Sequence, residues 1–253
     1  MKRSLWIVTL SESSSPAWPC PSCHKGILLL VPKSLAFKET IDSRRRRDEE
    51  YWTPEEDIGF TFTAWLKCSH AACGQEVVVS GSGGVEQWQT VDEDGEPGIS
   101  YSNCFRPRYF SHTPDIFDIP KNCPNNVAKH LRAGFRLFFL DPGASANRIR
   151  VALESVLDHL GVPKRRREPD NTFSDLSLHK RIELFKNDKP RLGEQLMALK
   201  WLGNTASHEG NVDRDDLLDA FEILEYSLVE LIEQRSARVA KLARQLTKKH
   251  GKR

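Results

Sequence analysis

Two closely spaced cysteine pairs constrain this chain more than any other feature of its sequence. Cys20 and Cys23 are separated by two residues, and Cys68 and Cys73 by four. Each pair can place two sulfur atoms on one tight turn, and two such turns can close a tetrahedron of thiolates around a zinc ion. Because four protein ligands leave no open position for a catalytic water, the pattern predicts structural rather than catalytic zinc.

Other uses of these cysteines stay open. His70 lies inside the second pair and could replace one of its cysteines as a ligand. Disulfides are disfavoured, because the chain shows no secretion signal and a reducing cytoplasm keeps thiols free. A redox Cys-x-x-Cys motif would explain only the first pair. Cys104 and Cys123 lie in unrelated contexts and are predicted to be free thiols.

Residues 1–105 are predicted to form a β-rich module. Runs of branched and aromatic residues at 26–32, 58–66 and 76–80 are bounded by glycine, proline or charge clusters, as strands usually are. The glycine-rich segment 80–84 is interpreted as a flexible turn, since it lacks the Gly-Lys-Ser/Thr of a phosphate-binding loop. The run of four arginines at 44–47 is followed by acidic residues and is interpreted as a loop.

The second half of the chain changes to a helical pattern. Four prolines between residues 106 and 124 predict an extended connector, because proline at that density interrupts helices and central strands. Over residues 125–233 the apolar period becomes about 3.6, which predicts a bundle of about five helices and an α+β protein overall. Residues 161–177 lack hydrophobic periodicity and are predicted to form a mobile loop.

The net charge of +2 conceals an uneven distribution. Residues 1–119 carry 12 basic and 17 acidic side chains, and the rest carry 25 basic and 18 acidic ones. Residues 234–253 are predicted to form a basic helical tail that binds the phosphates of RNA or DNA, and a solvated extension is the alternative. The candidate phosphate-binding residues are Arg235, Arg238, Lys241, Arg244 and Lys248 in the tail and Lys164, Arg165 and Arg166 in the loop.

Apolar runs in this sequence are shorter than the roughly 20 residues that a membrane span needs. The N-terminal apolar stretch is also short, and no small-residue cleavage site follows it. We therefore expect a cytoplasmic protein without a membrane partner.

Four separated segments resemble one family. They are Arg-Pro-Arg-Tyr-Phe from Arg106, Ile-Pro-Lys-Asn-Cys-Pro from Ile119, residues 146–154, and Leu-Gly-Asn-Thr-Ala-Ser-His-Glu from Leu202. In this order they resemble the prokaryotic domain of unknown function 4145 family over roughly residues 105–233. That family is similar to the HEPN superfamily of helical ribonucleases, toxins and nucleotide-binding domains. The resemblance implies a HEPN-like bundle that forms a homodimer, preceded by a zinc-ribbon-like region.

The resemblance also implies candidate catalytic residues. Active HEPN proteins cleave RNA without a metal, using the histidine of an Arg-x4–6-His motif as acid and base and the arginine to stabilise the phosphorane. His208 and Asn204 match this motif, but Gly203 stands where the arginine is expected. Lys200 and Arg150 are the candidates to supply the missing charge. In the structural alternative, Asn204 and His208 cap helix ends, and Gly203 closes the fourth helix in a left-handed conformation.

The resemblance leads us to expect a nucleic-acid-associated accessory or defence protein, with anti-phage defence as one such role. Two alternatives stay open: a metal-independent ribonuclease that uses His208, and a non-catalytic adaptor whose bundle binds other protein chains. The sequence leaves open whether the protein is an enzyme.

Overall fold

The computed structural model describes residues 1–48, 51–91, 95–209 and 212–251, with the backbone alone described for 206–209. The chain divides into two compact units, Lys2–Asp115 and Ile116–Arg253, the latter together with Met1. The first unit is built on an antiparallel sheet and the second on helices, which confirms the α+β prediction. Among the described residues, no helix is both long enough and apolar enough to span a membrane.

A curled antiparallel sheet forms the first unit. Its strands are β1 (Leu28–Leu30), β2 (Ala36–Glu39), β3 (Gly59–Cys68), β4 (Glu76–Val91) and β5 (Pro97–Phe110). Both β1 and β2 pair with β3, which pairs with β4, and β4 pairs with β5. The unit also contains three short helices, α1 (Ser4–Ile7), α2 (Ile41–Arg46) and α3 (Pro54–Asp57).

Strand β3 shows how the sequence selects the inner face of this sheet. Phe62, Ala64 and Leu66 are buried, whereas the intervening Trp65 is exposed. This alternation is the period of two that a half-buried strand requires. The buried face packs into an apolar core that includes Trp18, Leu28, Val79 and Phe105.

The prediction that residues 44–47 form a loop is wrong for residues 44–46, which are helical. Residues 44–46 lie in α2, and Arg47 is the residue that ends it. Thr40 begins the helix by accepting a hydrogen bond from the backbone N–H of Ser43. Three arginines in the last turn suit the negative end of the helix dipole.

The glycine-rich segment 80–84 is not a turn but the middle of β4. A Cβ atom added at Gly81 would lie 2.2 Å from the carbonyl oxygen of Arg106, and one at Gly83 would lie 2.8 Å from that of Cys104. The register with β5 also shifts between Ser80 and Gly81. Glycine is therefore needed here because the backbone of β5 approaches closely at an irregularity in the ladder.

Strand β5 extends into the region predicted to be a connector. Pro107 lies within this strand and pairs with Gly81, next to the shift in register. Because β5 is the last strand in the sheet order, a residue without an N–H is tolerated there. The proline-rich connector is thus strand as far as Phe110.

Helices dominate the second unit. They are α4 (Asn125–Phe138), α5 (Pro142–His159), α6 (Leu178–Asp188), α7 (Pro190–Glu209), α8 (Arg214–Leu228) and α9 (Arg235–His250). The apolar stripes of the predicted helices supply the core, in which Phe135 and Phe221 lie in edge contact with 5.4 Å between ring centroids. Gly161, which has a φ of +73°, lies just after the end of α5, where a left-handed glycine commonly ends a helix.

The prediction of a mobile loop at residues 161–177 is wrong for part of that segment. Strands β6 (Arg165–Arg167) and β7 (Phe173–Asp175) form a short antiparallel hairpin. Asn171 has a φ of +66° and supplies the left-handed residue of the turn. Because the hairpin is polar and mostly exposed, it has no hydrophobic period by which the sequence could reveal it.

The end of α8 continues into α9 through two irregular steps. Val229–Glu233 form a π-helical turn, and Gln234 then adopts the left-handed conformation with a φ of +48°. This residue redirects the chain, so α9 begins a new helix.

Candidate functional site

The four cysteines of the two pairs lie together in the first unit. Their sulfur atoms all lie within 4.8 Å of one another, and the cluster could hold a metal ion. The Sγ atoms of Cys20 and Cys73 are 3.8 Å apart, and those of Cys23 and Cys68 are 3.7 Å apart. Each close contact joins one pair to the other, so the cluster links two distant segments of the chain.

Pairing of β1 with β3 brings the two cysteine turns together. Leu28 is opposite Cys68 in this register, and the first turn immediately precedes β1. The backbone N–H of Cys20 donates to the carbonyl of Gly26, which closes the first turn. The N–H of Cys68 donates to the carbonyl of Gln75 and closes the second.

Gly26 is part of the site, although its position alone gave no sign of this. A Cβ atom there would lie 2.6 Å from the Sγ of Cys68 and 2.8 Å from the backbone nitrogen of His70. The two turns can therefore approach closely only because residue 26 has no side chain.

The protein environment affects the four thiols unequally. Hydrogen bonds from the backbone N–H groups of Gly26 and Lys25 lower the pKa of Cys23 to about 6. Burial raises the pKa of Cys68 to about 12. A backbone hydrogen bond from Gln75 acts to lower the pKa of Cys73, but burial and the neighbouring thiols raise it overall. A bound cation would favour the thiolate form of all four groups.

The other candidate ligands do not join this cluster. Among the described residues, the group that could hold a metal consists of the four cysteines without His70. His70 instead donates its backbone N–H to the Sγ of Cys68, with 3.4 Å between the two atoms. Cys104 and Cys123 are free thiols in the structure, and burial raises the pKa of each.

The second candidate site lies on α7. This helix continues to Glu209, so residues 200, 204 and 208 lie one turn apart along one side of it. Gly203 and Asn204 are therefore inside the helix, and their predicted roles in ending or capping it are wrong. The side chain of His208 lies outside the described part of the structure, and its role as acid and base stays a prediction.

Gly203 has a packing role instead. A Cβ atom at this position would lie 2.9 Å from the Cβ of Arg150 and 3.1 Å from the carbonyl oxygen of Ala146, both on α5. The helices α5 and α7 thus approach each other closely at the position where the active motif would carry arginine. Arginine cannot enter there without separating the two helices.

We expect Gly203→Ala to destabilise the helical unit by about 1–2 kcal/mol, because the clash with α5 outweighs the helix propensity that alanine adds. Gly134→Ala in α4 is the matched control, since its Cβ would meet its nearest neighbour, the Cβ of Arg148, at an ordinary 3.6 Å. That variant should stabilise the unit by up to about 1 kcal/mol. Denaturant unfolding followed by far-ultraviolet circular dichroism measures both. Equal effects of the two substitutions would contradict the close approach at Gly203.

Lys200 and Arg150 occupy different environments near Gly203. Lys200 is only 7% exposed, and its Nζ lies 3.4 Å from the ring centroid of Trp201. Its charge is therefore engaged by an aromatic face rather than presented to solvent. Arg150 is half-buried beside Gly203 and lies 3.9 Å from a carboxylate oxygen of Glu154, too far for a strong ion pair. The structure brings Arg150 to Gly203 but leaves Lys200 buried.

Comparison with known families divides the chain in the same way as the fold does. Residues 132–249 match the domain of unknown function DUF4145. Residues 8–110 match a second domain of unknown function, DUF8608. No curated protein and no solved structure matches the chain.

The DUF4145 match agrees with the family resemblance in the sequence but covers a different range of residues. The match begins within α4 and includes most of α9, whereas the resemblance in the sequence placed its start near residue 105 and its end near 233. The connector is therefore outside the matched DUF4145 region, and the basic tail is inside it as far as residue 249. The HEPN and zinc-ribbon relationships stay predictions.

The predicted phosphate-binding residues of the DUF4145 region fall into two sets. Arg235, Arg238, Lys241, Arg244 and Lys248 lie on α9, which is exposed along its whole length. Lys164 precedes β6, and Arg165 and Arg166 lie in it. Each of these three side chains is within 3.0 Å of a carboxylate oxygen, in ion pairs with Asp158, Asp175 and Glu168, respectively.

The sequence analysis does not predict one buried ion pair of the DUF4145 region. The guanidinium of Arg181 on α6 is buried and donates to Asp158 near the end of α5, with 2.7 Å between the two atoms. Asp158 also pairs with Lys164 at the start of the hairpin. Arg181 lies in the apolar stripe of Leu178, Ile182 and Phe185, and a charged residue at such a position is the signal that could identify it.

Proposed function

We propose that this chain is a nucleic-acid-associated protein in which zinc stabilises the first unit and α9 of the DUF4145 region contacts phosphate groups. An accessory or defence role in a prokaryotic cell is the biological setting that the family resemblance suggests. Zinc and phosphate binding are separate parts of this proposal, and different residues carry them.

The distances between sulfur atoms support zinc. With Zn–S bonds of about 2.3 Å, a tetrahedral site places neighbouring sulfur atoms roughly 3.8 Å apart. Two of the separations, at 3.7 and 3.8 Å, agree with this value. Cys20, Cys23, Cys68 and Cys73 would hold the ion, and their softness as ligands favours zinc over magnesium or calcium. Zinc would supply folding free energy here and leave no position for substrate.

The observation that carries the nucleic-acid part of the proposal is the exposure of α9. Every residue of this helix is exposed, and from Arg235 onward the sequence contains no carboxylate side chain. Lys241, Arg244 and Lys248 lie toward one side of the helix because they are separated by three and four residues. None of these three side chains has an ion pair with a described residue, and cations in such a row can neutralise phosphates and release counterions.

The hairpin makes a smaller contribution in this proposal. Arg165 and Arg166 are each paired with a carboxylate of the same hairpin. A phosphate would have to displace these partners, so each arginine adds less net attraction than an unpaired cation on α9.

We expect Lys241→Gln combined with Arg244→Gln to weaken binding to labelled RNA and DNA and to reduce the salt dependence. The slope of log affinity against log salt concentration should become shallower by about 2, because each phosphate contact contributes about 1. Fluorescence anisotropy at several salt concentrations gives both quantities.

Arg165→Gln combined with Arg166→Gln is the matched control, since it removes the same charge from residues that already have partners. It should change the slope by less than the α9 variant does. Binding by the native chain that does not depend on salt would refute the phosphate-contact proposal. An equal change in slope from both pairs would refute the assignment to α9.

A further inference from the structure

A groove separates the end of α8 from the start of α9. It encloses about 720 Å³ and lies within the helical unit. One wall carries the carboxylates of α8 and the π-helical turn, and the other carries the first turns of α9. Its lining includes Glu222, Glu225, Glu230, Arg235, Ser236 and Val239.

The helix α9 lacks the packing that normally stabilises a helix of its length. It spans 16 residues, and all of them are exposed. Helices this short are marginal in water unless an apolar face is buried. Arg235 and Arg238 also place positive charge in its first turn, where the helix dipole is unfavourable to cations. An occupant that covers an apolar face of α9 would therefore stabilise it.

Such an apolar face exists on α9. Val239, Leu242 and Leu246 are 54%, 52% and 61% exposed. Their spacing of three and four residues places them in one stripe along the helix. Val239 lines the groove, so the stripe runs from the groove toward the end of α9.

The charge of the facing wall restricts what can fill the groove. Glu222 is exposed, and Glu230 is half-buried and accepts a long 3.4 Å hydrogen bond from the backbone N–H of Ser236. Glu225 is already paired with the amino group of Met1. Glu222 and Glu230 outnumber Arg235, the cation among the lining residues, so the groove disfavours phosphates and anionic lipids and favours a basic segment. The groove requires a segment that is both apolar and basic.

We propose that α9 of a second copy of this chain occupies the groove, so that the two α9 helices pack antiparallel about a twofold axis. In this arrangement Leu242 packs against its own symmetry mate, and Val239 packs against Leu246 of the other copy. The same patch is used on both copies, as a closed dimer requires. Helix α9 is itself an apolar and basic segment of the required kind.

Antiparallel packing also brings opposite charges together. The end of one α9 then lies at the start of the other, beside Glu230. Lys249 flanks the apolar stripe and would reach this carboxylate. Lys241, Arg244 and Lys248 lie on the far side of the helix, because they are offset from the stripe by about half a turn. The dimer therefore leaves the proposed phosphate-binding row free and places two such rows in one particle.

The apolar part of this interface is tested with the full chain in the absence of nucleic acid. Sedimentation equilibrium should show a dimer for the native chain, and Leu242→Gln combined with Leu246→Gln should weaken its association at least about tenfold. Ala237→Gln, on the opposite side of α9, is the control and should leave the association unchanged. A native chain that stays monomeric at its highest soluble concentration overturns the proposal, as does a double variant that associates like the native chain.

A charge exchange tests the contact between the two copies directly. Lys249→Glu and Glu230→Lys should each weaken self-association about tenfold, because each places like charges opposite one another. An equimolar mixture of the two variants should recover association, because a mixed dimer has two attractive contacts. One contact joins the two substituted residues with their charges exchanged, and the other joins the native Glu230 of one variant to the native Lys249 of the other. A mixture that associates no better than either variant alone overturns the assignment of these residues. Because no nucleic acid is present, failure here is distinct from failure of the proposed phosphate binding.

Discussion

Cys68→Ser is expected to abolish the folded state of the sheet-containing unit. Zinc bound by four thiolates contributes about 10–16 kcal/mol to the folding of small domains, and a typical domain has only about 5–15 kcal/mol of net stability. Cys68 is the last residue of β3 and one of the two buried cysteines of the cluster. The variant should bind substoichiometric zinc, and its tryptophan fluorescence should resemble that of an unfolded chain, since Trp18 is fully buried in the native unit.

Cys123→Ser provides the control for this substitution. Cys123 is a free thiol in the other unit, so its replacement should leave zinc content and fluorescence unchanged. Chelation of the native protein should reproduce the effect of Cys68→Ser. The helical signal in far-ultraviolet circular dichroism should largely persist in both cases, because the second unit has its own apolar core. A Cys68→Ser protein that keeps native fluorescence without zinc would show that the cluster is dispensable.

The cluster of four cysteines could be predicted from sequence because the geometry of each pair is local. A Cys-x-x-Cys pair fixes two sulfur atoms on one turn whatever surrounds it, and the second pair needed only to meet the first. What the spacing could not reveal is Gly26, since its role arises from the distance between two turns that are far apart in the chain. The choice between Cys68 and His70 as ligand depended on the same tertiary contact.

The errors at glycines have a common physical origin. The sequence pattern predicts a turn at Gly81 and a helix end at Gly203, because glycine permits left-handed backbone conformations. Both instead lie inside regular elements, where another backbone approaches so closely that a Cβ would clash. Close approach is a property of the neighbouring element, so the local sequence does not show which use of glycine applies.

The hairpin at residues 165–175 and the last part of α7 show which elements hydrophobic periodicity does not detect. Hydrophobic periodicity detects elements that bury one face, and it correctly indicated the helices of the core. The hairpin buries little, and the last part of α7 lacks a clear apolar stripe, so neither gave a signal. Exposed elements are also the ones that carry the proposed phosphate contacts, which is why the fold was easier to predict than the function.

Asp158→Ala should destabilise the helical unit strongly, and by more than Lys164→Ala does. Arg181 is only 5% exposed, and it donates to Asp158 and to the carbonyl of Val162. Removing the carboxylate leaves a buried guanidinium without its counter-charge, which should lower the free energy of unfolding by roughly 3 kcal/mol. Lys164→Ala removes the exposed partner of the same carboxylate and should lower it by less than about 1 kcal/mol. Denaturant titrations of the three proteins test this order.

The pH dependence of stability distinguishes the charge interaction between Asp158 and Arg181 from the packing of the same residues. Burial acts to raise the pKa of Asp158, but hydrogen bonds from Lys164 and Arg181 hold it below its usual range. A carboxylate with a depressed pKa stabilises the fold at pH values above its unfolded pKa of about 3.9, and this contribution is lost as the pH falls through the lower, folded value. The stability difference between native protein and Asp158→Ala should therefore be constant near neutral pH and narrow below about pH 4. A difference that stays constant in acid would mean that packing, and not the ion pair, holds α5 against α6 and fixes the start of the hairpin at Lys164.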